Sequence, residues 1–281
     1  MKVMMQKDNL KFEELSHYKK KSKKRRSIKI KNKIIGPDTF SVIAGPCTIE
    51  NYDDLFEIVS HLKELGCSFF RGGAYKMRTS PYNFQGLGKK GLEYLRKVSE
   101  KTGMISVSEV VASEDVQMMS NYVDILQVGT RNMHNYRLLA ALGKVKNPVI
   151  LKRGMSSTIK EWLFAAEHIL QAGNPNVILC ERGIRTFEDY TRNTLDISSI
   201  PSVKNLSDLP IIVDPSHSSG RRDMIKSLSW AAMAAGADGI LIETHFSPDT
   251  AVCDSKQTID FEMLEEIIKP VKRIVSLWGK E

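Results

Sequence analysis

The chain has 281 residues, four cysteines and a formal net charge of +8. This length can bury a large core without disulfides, and the cysteines lie far apart with no CxxC pair, so we expect reduced thiols. No window approaches the ~18 consecutive apolar residues of a membrane span, and the polar, basic start lacks the apolar core of a signal peptide. We therefore expect a cytoplasmic protein without a membrane partner.

The positive charge is concentrated in the first part of the chain. Residues 1–36 hold 13 Lys/Arg against 3 Asp/Glu, or +10, which leaves the other 245 residues at −2. We interpret 1–36 as a basic N-terminal extension, a solvated arm that ends in a short hairpin formed by SIKIKNKIIG. The alternative from another class is a nucleic-acid-binding protein that works through residues 19–33. It is less favoured because no aromatic residues interleave with the basic run.

Residues 37–281 show alternating strand and helix patterns, which indicate one large domain. Continuous apolar runs, spaced roughly 20 to 35 residues apart as in βα units, predict eight strands. They cover 40–44, 68–72, 104–109, 124–128, 148–152, 176–181, 210–214 and 238–243. Because these runs do not alternate with polar residues, they are typical of parallel strands buried on both faces.

Helical periodicity between the strands completes the βα units. It predicts helices within 52–66, 91–103, 113–122, 135–145, 158–173, 187–196 and 221–237. Eight units in a domain of this size favour an α/β fold of the (β/α)8 TIM-barrel type. The competing fold is a doubly wound sheet, but the first strand is followed by GPCTIE, which lacks the GxGxxG pattern of that fold.

Reactive side chains follow most of the predicted strands, and in a barrel they would face one C-terminal mouth. A thiol, an imidazole and two carboxylates among them suit a borderline divalent cation: Cys47, His217, Glu243 and Asp254. Their spacing alone is weak evidence, since only the barrel would bring them together. Each also has a structural explanation, as a packed thiol, a turn residue, a strand-end acid or a helix cap.

Cations at the same strand ends indicate an anionic substrate. They end strands two, four, five and six or lie in the following loops: Arg71, Lys76, Arg78, Arg131, Lys152 and Arg182. One anionic group needs only two or three such donors, so the set predicts two phosphorylated substrates. Glu109, in SVSEV, holds a cation in place, orients a water, or simply pairs with a neighbouring Arg.

Several of these segments together resemble the 3-deoxy-D-arabino-heptulosonate 7-phosphate (DAHP) synthase family, in its type I beta subgroup. They are GPCTIE, FFRGGAYKMRTSPYNFQGLG, LQVGTRNM, ILKRGM, VILCERGIRTFEDYTRNTLD, IIVDPSHSSGRR and GADGILIETH. The resemblance covers about residues 30–270, and ERGIRTF and DPSH are its most specific segments. It implies a (β/α)8 barrel that condenses phosphoenolpyruvate with erythrose 4-phosphate, releases phosphate and starts the shikimate pathway to aromatic amino acids.

The resemblance also implies roles for individual residues. The metal ligands are Cys47, His217, Glu243 and Asp254, and the ion is Mn²⁺, Fe²⁺, Co²⁺ or Zn²⁺. The phosphoenolpyruvate site comprises Arg71, Lys76, Arg131, Lys152 and Arg182, with Glu109 nearby. The aldose phosphate meets Arg78, Thr79 and Ser80. The catalytic residues are Lys76, Arg71 and Glu109. From the chemistry of the condensation we expect Lys76 to act as a general acid whose pKa neighbouring cations lower. The resemblance further implies a homo-oligomer, a dimer or tetramer.

Two departures from the family pattern bear on specificity and regulation. The aldose loop has Met77 where the family commonly has Pro, so we expect a less preorganised loop rather than lost activity. A related synthase that takes arabinose 5-phosphate usually carries Asn before the Arg of this loop, which makes it the less favoured alternative. Residues 1–36 are too few for a regulatory domain, so we expect no inhibition by aromatic amino acids through one.

Overall fold

The architecture is a closed barrel of eight parallel strands with a small hairpin ahead of it, in a computed structural model that describes residues 11–18, 24–78 and 80–279. The hairpin strands are β1 (Ile28–Ile30) and β2 (Lys33–Ile35), which pair antiparallel. The barrel strands are β3 (Ser41–Gly45), β4 (Phe69–Arg71), β5 (Ile105–Val110), β6 (Ile125–Val128), β7 (Val149–Lys152), β8 (Val177–Glu181), β9 (Ile211–Val213) and β10 (Gly239–Glu243). Each pairs with the next, and β10 closes the barrel on β3. The predicted fold class is confirmed, and each apolar run overlaps one strand to within a residue at the ends that differ.

Helices follow the barrel strands and surround them. They are α1 (Tyr52–Glu64), α2 (Lys89–Thr102), α3 (Val116–Met119), α4 (Tyr136–Leu142), α5 (Ile159–Gln171), α6 (Ser199–Leu206), α7 (Pro215–Ser219), α8 (Arg222–Ala234), α9 (Phe261–Ile268) and α10 (Val271–Val275). Local capping explains where several begin: the Thr158 hydroxyl accepts from the Glu161 N–H, and the Glu161 carboxylate accepts from the Thr158 N–H. Within the described residues, no helix is long and apolar enough to cross a membrane.

The predicted helix at 187–196 is wrong. This stretch is an irregular loop, and the helix of this unit is α6, farther along the chain. The loop is held by tertiary bonds: Ile184 and Thr194 exchange backbone hydrogen bonds of 2.9 Å, and the Asn193 N–H donates to the Ser218 carbonyl at 2.8 Å. Pro201 weakens the helical signal of α6 in the sequence, although proline is tolerated in the first turn of a helix. Helices α7, α9 and α10 were not predicted from the sequence either.

The hairpin closes the N-terminal end of the barrel. Its Ile28, Ile30 and Ile35 are buried in one cluster with the side chains that fill the barrel interior. Those interior side chains are Ile43, Phe69, Ile105, Val107, Ile125, Ile150, Ile178, Cys180, Ile212 and Leu241. Because the interior is packed below the strand ends, polar chemistry is confined to the C-terminal mouth.

Part of the basic extension is bound to the barrel rather than solvated. Arg25 donates to both carboxylate oxygens of the fully buried Asp238, at 3.0 and 2.7 Å. Arg26 donates to the Pro175 carbonyl at 2.8 Å and pairs with Asp208 at 3.3 Å. Residues 19–23 of the basic run lie outside the described residues. The division into an extension (1–36) and a barrel (37–281) stays a prediction.

We expect R25M to destabilise the fold markedly, because it removes the cation that neutralises a buried carboxylate. Losing one partner of such a pair costs about 3 kcal/mol of the free energy of unfolding. Urea denaturation followed by circular dichroism measures the loss. R96M is the matched control, since Arg96 and Glu100 pair on the exposed face of α2. Equal urea midpoints for R25M and R96M would contradict a stabilising role for the Arg25 pair.

Candidate active site

The barrel delivers the predicted functional side chains to one mouth. Arg71, Lys152 and Glu243 are the last residues of β4, β7 and β10, and Cys47 lies two residues beyond β3. Glu109 is near the end of β5, and His217 lies in α7 directly after β9. Asp254 comes from the loop after β10. Since parallel strands place their carboxyl ends together, residues far apart in the chain meet at this rim.

Four predicted ligands form one compact cluster. Ligand atoms of Cys47, His217, Glu243 and Asp254 all lie within 4.8 Å of one another. The Cys47 thiol donates to Asp254 Oδ2 at 3.0 Å, and His217 Nε2 lies 3.2 Å from Glu243 Oε1. A thiolate, an imidazole and two carboxylates are donors that Zn²⁺, Fe²⁺, Co²⁺ and Mn²⁺ accept. The residues present therefore fit a divalent metal ion.

Asp214 fixes the orientation of His217. Its Oδ1 accepts the His217 backbone N–H at 2.9 Å, and its Oδ2 lies 2.8 Å from His217 Nδ1. Burial would raise the pKa of Asp214, but His217 and Lys152 hold the pKa well below its usual range. An ionised carboxylate at Nδ1 favours the tautomer with the proton there, which leaves the Nε2 lone pair for a metal.

Glu243 is held as an anion at the floor of the cluster. Arg71 Nη1 donates to its Oε1 at 2.6 Å, and Gln257 Nε2 donates to its Oε2 at 2.7 Å. Burial would raise the pKa of Glu243, but His217, Arg71 and Lys76 together hold it below its usual range. The pKa of the Cys47 thiol is raised by a hydrogen bond with Cys253 and by burial, so a metal that binds the thiolate would release a proton.

The backbone at Asp254 is in the left-handed region, with φ of 55°. Such a conformation costs a non-glycine residue about 1 kcal/mol, although Asp tolerates it better than most. The turn is stabilised by the Asp254 carbonyl, which accepts from the Gln257 and Thr258 N–H groups at 3.1 and 3.2 Å. A strained backbone held in this way points the carboxylate into the cluster.

Lys76 contacts the cluster directly. Its Nζ lies 3.0 Å from Cys47 Sγ and 3.2 Å from the Cys47 carbonyl oxygen. The expected lowering of the Lys76 pKa is wrong. Burial and Arg71 lower this pKa, but Cys47, Glu109 and Glu243 raise it by more, so the pKa lies above its usual value. The prediction took only the neighbouring cations into account, whereas the barrel also places the carboxylates of Glu109 and Glu243 around this amine.

A cavity of about 310 Å³ opens from the cluster to solvent. Its lining includes most of the predicted site: Lys76, Arg78, Glu109, Arg131, Lys152, Arg182, His217 and Asp254. Gly129 makes room for Glu109, because a Cβ at that position would lie 2.1 Å from Glu109 Oε1. Arg71 lies beneath the cavity against Glu243, and Ser80 is not in the lining. Thr79 lies outside the described residues.

The lining cations differ in their partners. Lys152 Nζ donates to Asp214 Oδ2 at 2.5 Å. Arg131 donates only to the Met77 carbonyl at 3.5 Å, and Arg182 donates to the His217 carbonyl at 2.8 Å, among the contacts of the described residues. Arg182 Nε is buried without a hydrogen-bond partner. Guanidinium groups without a carboxylate partner can bind an anion bidentately.

Several residues of the site had no role assigned from the sequence. Asp214 and Gln257 position the ligands His217 and Glu243, while Met155 and Arg192 line the cavity. Asp214 precedes His217 by three residues in DPSH and directly follows the end of β9, a position that indicates a place at the mouth of the barrel. Gln257 and Arg192 lie in irregular loops, where no local pattern indicates which way a side chain points.

Comparison with known proteins agrees with this geometry. The sequence profile of the DAHP synthetase I family matches residues 17–277. A phospho-2-dehydro-3-deoxyheptonate aldolase of Thermotoga maritima is 52% identical over 245 residues, which cover 87% of this chain and 72% of that protein. A 2-dehydro-3-deoxyphosphooctonate aldolase of Desulfosudis oleivorans is 32% identical over 248 residues, covering 81% and 87%.

Solved structures show the same likeness. The crystal structure of the Thermotoga maritima phospho-2-dehydro-3-deoxyheptonate aldolase (DAHP synthase) superimposes with a TM-score of 0.92 and 48% identity, covering 95% of this chain and 78% of that one. A truncated form of 3-deoxy-D-arabino-heptulosonate 7-phosphate synthase from the same organism gives 0.89 and 46%, covering 94% and 97%. With its barrel, its ligand cluster and these matches, the chain belongs to the DAHP synthetase I family.

Proposed function

We propose that this enzyme condenses phosphoenolpyruvate with D-erythrose 4-phosphate and water to give DAHP and phosphate, the first step of the shikimate pathway. The observation that supports this most strongly is that the ligand cluster and the cationic cavity are one space. Lys76, His217 and Asp254 line the cavity, and the last two belong to the cluster. A carbonyl oxygen at the cluster and two phosphate groups among the cations would be held together.

Erythrose 4-phosphate lies nearer the opening of the cavity, and phosphoenolpyruvate occupies the inner end. Arg131, Lys152 and Arg182 hold its phosphate, and the orphaned Arg182 Nε marks a donor without a protein acceptor. Its carboxylate lies toward Lys76 and Arg71. Arg71 also donates to the Cys47 carbonyl at 3.2 Å, so it connects the ligand cluster to the phosphoenolpyruvate end of the cavity. Arg78 and the loop residues Thr79 and Ser80 receive the aldose phosphate.

Cys47, His217, Glu243 and Asp254 hold one divalent metal ion, which supplies Lewis-acid polarisation of the aldehyde when it is bound. Manganese, iron, cobalt and zinc all suit these donors. Asp214, Gln257 and Arg71 hold the ligand side chains in place, as outer partners of a metal site do. Family membership and the compactness of the cluster support metal dependence.

Lys76 donates the proton that the aldehyde oxygen needs as the new bond forms between C3 of phosphoenolpyruvate and the aldehyde carbon. The Lys76 amine lies 3.0 Å from Cys47 Sγ in the ligand cluster, so its proton is at hand when negative charge develops on the aldehyde oxygen. Water then adds to the electron-poor C2 and loses one proton, which returns to the Lys76 amine through solvent. The hemiketal hydroxyl gives its proton to the departing phosphate as the bond between C2 and the phosphate oxygen breaks and the ketone forms. Glu109 lies in the cavity wall and orients this water.

We also propose that the enzyme is a cytoplasmic homo-oligomer, a dimer or tetramer, as the family resemblance implies. The buried, reduced thiols Cys47, Cys180 and Cys253 suit a reducing compartment.

The first test follows the ultraviolet absorbance of phosphoenolpyruvate with each of two sugars. We expect metal-dependent loss with erythrose 4-phosphate and little with arabinose 5-phosphate. The tripeptide Lys76-Met77-Arg78 lacks the Asn of the five-carbon enzyme, which motivates this preference. Because relatives named 2-dehydro-3-deoxyphosphooctonate aldolase are also similar, preference for the five-carbon sugar would reassign the substrate. No loss with either sugar would refute the proposed condensation.

Removing the Cys47 sulfur should abolish tight metal binding. We expect C47S to bind Mn²⁺ or Zn²⁺ at least about 10-fold more weakly than the wild type. Loss of a residue that only hydrogen-bonds a metal ligand already weakens binding by about 10-fold, and Cys47 is a proposed ligand itself. Metal content after chelator treatment, reloading and gel filtration measures this. C67S is the control, because Cys67 is a free, half-buried thiol after α1 and outside the cluster. Equal metal content in C47S and C67S would contradict the proposed ligand set.

Replacing the Lys76 amine should remove the proton donor. We expect K76M to lower kcat about 100- to 10,000-fold, the usual contribution of a general acid. Thermal unfolding and metal content checked in parallel separate this from misfolding. K90M serves as the control, since Lys90 lies exposed at the start of α2 beside Tyr94. Turnover of K76M close to that of K90M would rule out the acid role.

A further inference from the structure

The loop of residues 184–194 places a cation at the cavity that has no assigned role. Arg192 lines the cavity, and its Nη2 lies 3.6 Å from Asp254 Oδ1. The side chain is 44% exposed, so it lies at the opening. A distance of 3.6 Å is too long for a hydrogen bond, so this pair leaves most of the guanidinium donors available.

The loop that carries Arg192 is anchored to the helix that carries His217. The Arg192 N–H donates to the Ser219 carbonyl at 2.9 Å, beside the Asn193 bond to Ser218. Gly220, which ends α7 with φ of 64°, leaves room for the side chain, because a Cβ there would lie 3.0 Å from Arg192 Cβ. The backbone of Arg192 is therefore held in place, and its side chain extends past Gly220 toward the opening of the cavity.

Arg78 approaches the same rim from the opposite loop. Its Nη2 contacts Cys253 Sγ, and its Nε donates to the Phe84 carbonyl at 3.3 Å. Cys253 and Asp254 are neighbours in the chain, so the two guanidinium groups flank one short segment. Neither is paired with a carboxylate at hydrogen-bond distance among the described residues. Two such guanidinium groups at one rim suit the two charges of a phosphate monoester.

We propose that Arg192 binds the phosphate of the aldose substrate together with Arg78. This rests on the proposed condensation and deepens it, because it supplies a second cation, beside Arg78, for the phosphate of erythrose 4-phosphate. The cations proposed for the phosphate of phosphoenolpyruvate, Arg131, Lys152 and Arg182, lie at or just after the ends of β6, β7 and β8. Arg192 and Arg78 lie at the solvent side of the ligand cluster. The division gives each substrate phosphate its own guanidinium groups.

The test compares R192Q with the wild type in steady-state kinetics. We expect the KM for erythrose 4-phosphate to rise about 10-fold or more, since a hydrogen bond to a charged group is lost. The KM for phosphoenolpyruvate and the metal affinity should stay within about twofold. R185Q is the matched control, because Arg185 is an exposed residue of the same loop that does not line the cavity.

A second measurement separates this inference from the proposed reaction. Erythrose 4-phosphate is titrated calorimetrically into chelator-treated wild type, R192Q and R185Q in the presence of phosphoenolpyruvate, where no turnover is expected. Weaker binding by R192Q alone supports the site even if the enzyme condenses neither sugar. Unchanged binding and unchanged KM in R192Q overturn it. So does a fall in metal affinity with an unchanged KM, because Arg192 would then only position Asp254.

Discussion

The site depends on the parallel closure of the barrel between its first and last strands. Residues 239–243 of β10 pair with residues 41–45 of β3 in register, which sets Glu243 opposite Gly45. This pairing brings Cys47 and Asp254, 207 positions apart, to 3.0 Å. The other members of the cluster follow, since Glu243 ends β10 and His217 lies in the helix directly after β9. A slip of one residue would turn Glu243 to the opposite face of its strand.

Charge pairing divides the cations of the mouth into two groups. Each fully buried carboxylate at the strand ends has a cation of its own: Glu243 has Arg71, Asp214 has Lys152 and Glu181 has Arg153. These pairs offset the cost of burying charge, and losing one partner would leave the other uncompensated. Arg78, Arg131 and Arg182 have no carboxylate partner at hydrogen-bond distance among the described residues. Their charge is fully available to an anionic substrate, whereas Lys152 and Arg71 would share theirs between a buried carboxylate and the substrate.

The sequence predicted the strands because they depend on local patterns, whereas the ligand set was indicated mainly by the family resemblance, since Asp254 lies in a loop that no local pattern marks. Apolar runs of five or six residues mark buried strands, and the residue that ends such a run lies at the mouth. The predictions that failed concern features that tertiary contacts determine. The stretch 187–196 has helical spacing but is held as a loop by Ser218 and Ile184. The pKa of Lys76 depends on Glu109 and Glu243, which no sequence neighbourhood brings near it.

The apolar base of the barrel also shapes the chemistry at its mouth. Ile28, Ile30 and Ile35 of the hairpin close the N-terminal end against the interior cluster, so the cavity opens to solvent from the mouth. The charged groups at the strand ends therefore stand on a packed, low-dielectric floor. Electrostatic interactions are stronger there than in water, both within the ligand cluster and between the cations and bound phosphate. The hairpin thus contributes to the strength of a site that it does not touch.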